Sequence, residues 1–128
     1  AVRREIAVVC FALIWQITWT ADYYIDNAGS NANSCAETHK CKTLQHVLSL
    51  TSTDGNIFVL PGVYTGAVNT YLNISSSVSI TIQGVGGYYP TFDGLSVSGG
   101  WNVTAPKFTV DNIGFVNFKA STNITTSS

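Results

Sequence analysis

Two cysteines and two histidines fall within twelve residues of this chain: Cys35, His39, Cys41 and His46. Thiolates and imidazoles are ligands of tetrahedral zinc, whereas two thiols alone make a disulfide. Zinc modules usually hold their ligand pairs further apart, around a small core. The third cysteine, Cys10, lies in an N-terminal leader-like segment. Removal of that segment leaves an even pair, and an even count in an exported chain favours a Cys35–Cys41 disulfide, with zinc as the alternative. The loop so closed is short, so the bond pins a local loop and not the whole fold.

Carboxylates are scarce, at seven, and Glu5 lies in the leader-like segment. Asp93 and Asp111 could meet on adjacent strands, as calcium ligands or as acid and base. Each also stands in a turn sequence, Phe-Asp-Gly and Val-Asp-Asn, where an Asp side chain bonds backbone; that reading is the stronger. The chain has no Gly-x-Ser-x-Gly elbow. Its Gly84-Val85-Gly86-Gly87 run leads into aromatics and Pro90, not into a phosphate-binding helix. No catalytic, metal or cofactor-binding residue is therefore assigned, and no cofactor is implied.

Three sequons, at Asn73, Asn102 and Asn123, are candidate glycosylation sites, each weak by itself in a chain this rich in Asn, Ser and Thr. Tyr88, Tyr89 and Trp101 are the candidate contacts for a sugar or protein ligand, since exposed aromatics offer rigid amphipathic surface. Their competing role is to pack a loop onto the fold.

Charged residues make up 10% of 128 positions and the net charge is −1. Nucleic acid binding needs a basic stripe, as does recruitment to an anionic membrane, and none exists here. At the N-terminus, Arg3 and Arg4 precede an apolar run from Ile6 to Trp15. That is the pattern of a signal peptide, predicted over 1–21 with cleavage between Thr18 and Asp22. A membrane-spanning helix needs about 20 mostly apolar residues, and Gln16, Thr18 and Thr20 interrupt this one. A membrane contact is expected only through an uncleaved signal or through a C-terminal anchor beyond Ser128. The absence of Met and the polar ending at Ser128 lead us to expect a piece of a longer protein.

The elements that would position these residues are short. Asp22–Asn27 reads as an edge strand. Thr43 is a plausible N-cap, and Leu44, Val47 and Leu48 form one stripe of a two-turn helix. Asn56–Leu60 is a strand of high β propensity, turned by Pro61-Gly62. Beyond it come YLNIS, VSITIQG, PTFDG, LSVSGG, FTVDN and IGFVNF, each expected as a strand, with SGGWNVTAP as a loop insertion. Apolar pairs recur at Ile57/Val59, Ile80/Ile82 and Phe108/Val110, 23 and then 28 residues apart. Such a period suggests a solenoid of stacked strands rather than a hairpin-built sandwich.

In order, YYIDNAGSNANS, CKTLQHVLSL, GNIFVLPGVYTG, SVSITIQGVGG and PTFDG resemble the start of secreted right-handed parallel β-helix proteins, the pectin-lyase-like superfamily. The resemblance covers about residues 22–118. It implies an all-β fold: an N-terminal capping helix and the first rungs of a β-helix domain over 22–128, preceded by a signal-peptide helix. The strand from Asn56 would start the first rung and stack in parallel on VSITIQG. Superfamily members include pectate lyases, pectin methylesterases and polygalacturonases, but none of their motifs maps onto this chain. The function expected is an extracellular, adhesin-like scaffold binding glycans or proteins. The alternative is the N-terminal part of a polysaccharide-active enzyme whose site lies beyond Ser128.

Overall fold

The computed structural model describes residues 20–119. Nine strands and two short helices follow one another as β1 (Thr20–Ile25), α1 (Leu44–Leu50), β2 (Asp54–Val59), β3 (Val63–Tyr64), α2 (Ala67–Thr70), β4 (Tyr71–Ser75), β5 (Ile80–Gly84), β6 (Thr91–Asp93), β7 (Gly100–Thr104), β8 (Phe108–Asp111) and β9 (Gly114–Val116). No helix among them is long and apolar enough to cross a membrane. The predicted signal peptide falls on residues before 20, outside the described part.

Among the described residues the fold is mostly β, in parallel sheets, with no closed barrel. Three sheets run β1-β2-β5-β8, β3-β6-β9 and β4-β7. From β2 onward the chain visits them in the same order on each pass, and every ladder is parallel. Parallel neighbours need a crossover rather than a hairpin, and here the crossover is the visit to the other two sheets. A hairpin-built antiparallel sandwich is thereby ruled out for these strands.

Register follows from burial. In β2, residues Gly55, Ile57 and Val59 face inward and alternate with outward ones. Ile57 stacks on Tyr23, Ile82 and Val110 along the first sheet. The predicted 28-residue step from Ile82 to Val110 is observed. The first step differs: Ile57 pairs with Ile82 and not Ile80. Strand β2 begins two residues earlier than expected, at Asp54, whose Oδ1 accepts from Ser79 N at 2.9 Å. That bond sets Gly55 opposite Ile80.

The second and third sheets meet in an aromatic stack. Tyr64, Phe92 and Phe115 succeed one another with ring centroids 5.2 and 5.9 Å apart, and Trp101 presents its edge to Phe92 at 5.1 Å. Two segments differ from expectation here. LSVSGG is a turn and not a strand, because Leu95 and Ser96 have left-handed backbones at φ 53° and 63°. SGGWNVTAP is not an insertion, because it contains β7, paired in register with β4.

Helix α1 forms where predicted. The Thr43 side chain accepts from His46 N, and Leu44 and Val47 are buried. The helix contacts β1 and α2. The α2 residue Asn69 accepts from Leu44 N at 2.9 Å and, through its backbone oxygen, from Trp101 Nε1 at 2.7 Å. One buried Asn thus ties the first helix to the aromatic stack.

The disulfide loop closes the outer edge of β1. Cys41 N donates to Tyr24 O, Tyr24 N to Cys35 O and Asp26 N to Cys41 O, so both cysteines lie along the strand. An uncovered edge would offer these groups to another chain. Strand β1 starts at Thr20, so cleavage after Ala21 would remove two residues that pair with Asp54 and Gly55.

Candidate functional site

Cys35 and Cys41 are joined as a disulfide and are fully buried. The His46 ring lies beside them, its nitrogen within 4.8 Å of both sulfurs, while His39 belongs to no such group. Sulfurs bonded to each other hold no metal, so this cluster is structural in the oxidised protein. Asp93 and Asp111 are not brought together as a pair: they lie in different sheets, registered with Val116 and Gln83. Asp93 Oδ1 accepts from Leu95 N and Asn117 Nδ2 at 2.8 and 3.1 Å, the turn role that its sequence suggested.

The aromatic candidates separate. Tyr88 and Tyr89 are 80% and 61% exposed on the connection from β5 to β6. Trp101 is 1% exposed. It points inward from β7, so its expected contact with a ligand is corrected to a core role: an outward Trp would break the alternation that buries Val103 beside it.

The described residues hold a better concave surface where the connections from the second sheet to the third meet the outer side of β4 and β7. An open groove of about 630 Å³ is lined by Gly66, Ala67, Thr70 and Tyr71 on one pass and by Gly94, Leu95, Val97, Ser98 and Gly99 on the next, with Lys119 as the one charged residue among the described lining. A second hollow of about 380 Å³, lined by Asn73, Gly99 and Asn102 among others, adjoins it. Tyr71 borders both and is 66% exposed. Its ring lies over Gly99, where an added Cβ would stand 2.7 Å from Tyr71 Cε1. Glycine there is what lets the ring rest on the backbone.

The groove wall is strained. Leu95 and Ser96 sit consecutively in the left-handed region, which costs of order 1–3 kcal/mol for each non-glycine residue. The turn is fixed by Asp93, by Ser96 N donating to Asn117 O and by Val97 N and Ser98 N donating to Gly94 O. Its product is a pair of exposed apolar side chains, Leu95 and Val97, facing the Tyr71 side of the groove. Exposed apolar surface around a cavity marks a binding site more than scattered residues do. Sequence reasoning missed this groove because Tyr71 and Gly99 are 28 positions apart and share no local motif.

The sequon residues Asn73 and Asn102 are register partners on this face, both exposed. Asn123 lies outside the described residues. Below the face, burial lifts the Tyr64 phenol well above its ordinary range, with Asp26 adding to the effect and the Asn27 backbone opposing it. That hydroxyl donates to Leu60 O at 2.7 Å and serves the core.

Comparison of the chain with protein families, with curated proteins and with solved structures found no match in any of the three.

Proposed function

We propose that this chain belongs to an extracellular right-handed parallel β-helix scaffold, pectin-lyase-like in architecture, which binds an oligosaccharide along the Tyr71 groove. The fixed order of three parallel sheets supports the solenoid reading. The disulfide is compatible with an oxidising, extracellular compartment.

One observation carries the binding role: an exposed Tyr ring seated on a glycine between two hollows. Sugar rings present C–H faces that stack on aromatic rings, and Tyr71 offers an exposed one. Lys119 at the rim would attract a carboxylate where the sugar carries one.

The test is a glycan array probed with the wild-type chain, Tyr71→Ala and Tyr88→Ala. The wild type and Tyr88→Ala should bind a common set of oligosaccharides, and Tyr71→Ala should lose at least about tenfold in affinity, the size of a stacking contact near 1.4 kcal/mol. Equal binding by all three would remove the groove from the account.

A further inference from the structure

The two sequons on the β4–β7 face are not independent. Asn73 and Asn102 are partners in the parallel ladder, so their Cα atoms are about 4.8 Å apart, one strand spacing. The middle residues Ile74 and Val103 point inward and are buried, while the hydroxyl residues Ser75 and Thr104 point outward with the Asn. Both acceptor triplets therefore present the same face, side by side. A pyranose ring carrying an N-acetyl arm is wider than one strand spacing, and both acceptors open into the same 380 Å³ hollow. Tyr71 lines that hollow as well.

We propose that Asn73 and Asn102 are alternative N-glycan acceptors, so that a folded molecule carries one glycan at this pair and never two. The proposal rests on the extracellular reading above and adds what fills the smaller hollow. Among the described residues, those that line the larger groove on the other side of Tyr71 include no sequon. The third sequon, Asn123-Ile124-Thr125, repeats the aliphatic middle residue in sequence alone.

The experiment expresses the full chain behind an established secretion leader in a glycosylating eukaryotic host, with Asn123→Gln removing the third sequon. Intact masses of the secreted protein are read before and after enzymatic glycan removal that converts each acceptor to Asp. The expected population carries one glycan per molecule, with Asp located by peptide mapping at position 73 or 102 but not at both. Asn73→Gln and Asn102→Gln should each keep one glycan, and the double variant should lose glycosylation entirely. A secreted, doubly glycosylated species would overturn the proposal, as would secreted protein bare at both sites. Occupancy is read without any ligand, so failure of oligosaccharide binding leaves this result intact. A parallel expression with residues 1–21 as the leader tests export separately: retention in the cell would count against that reading alone.

Discussion

Two corners of the molecule expose aromatic and aliphatic side chains, and they differ in what lies behind them. On the connection from β5 to β6, Tyr88 stands out beside Gly87, which has open space around it, while the Tyr89 ring lies over Gly114, where an added Cβ would stand 2.9 Å from its Cε2, with no groove beside it among the cavities described above. On the connections from the second sheet to the third, Tyr71, Leu95 and Val97 surround a groove whose floor is glycine backbone and whose turn is held by Asp93 and Asn117. Exposure is greater at the first corner, and concavity exists at the second. A ligand gains from burial on several sides at once, so the second corner is the better site.

The largest effect that separates the corners is in stability. Trp101 lies at the core behind the second corner, so Trp101→Ala should cost about 3–5 kcal/mol, whereas Tyr88→Ala should stay within about 0.5 kcal/mol. Urea unfolding of both variants measures this, and similar midpoints would contradict the burial of Trp101.

Next in size is the anchor of the strained turn. Asp93→Ala removes the acceptor of Leu95 N and Asn117 Nδ2, and should cost about 1 kcal/mol while speeding amide exchange at Leu95 and Ser96. Exchange around Tyr88 should not change. A uniform change at both corners would mean that the turn is not a local device.

A smaller effect is expected from pH. The folded state holds the Tyr64 phenol above its unfolded value near 10.0, so its contribution is fully present below pH 10 and is lost as pH rises beyond it. The thermal midpoint should fall in the alkaline range, and Tyr64→Phe should flatten that fall. Tyr88→Phe should leave it unchanged, and equal slopes for all three proteins would remove Tyr64 as the cause.

Much of the frame was legible because it depends on local rules. The Thr43 cap, the Leu44/Val47 stripe, the β propensity around Ile57 and the even cysteine pair each announce themselves within a few residues. The groove depends on register instead. LSVSGG alternates like a strand, yet the Asp93 carboxylate captures Leu95 N and bends the chain into a turn. Trp101 reads as a surface aromatic until its register with Leu72 fixes it inward. Asn69 gives no signal at all in sequence, because its partners Leu44 and Trp101 lie 25 and 32 positions away.

The most direct measurement is an NMR titration with the strongest oligosaccharide from the array, using the wild-type chain and Gly99→Ala. Gly99 has ordinary backbone angles, so the added methyl displaces the Tyr71 ring without straining the backbone. The account predicts shifts at Tyr71, Leu95, Val97 and Ser98 in the wild type, and at least about a tenfold loss of affinity in Gly99→Ala, or 1.4 kcal/mol. Shifts centred on Tyr88 and Tyr89, with affinity untouched by Gly99→Ala, would contradict it.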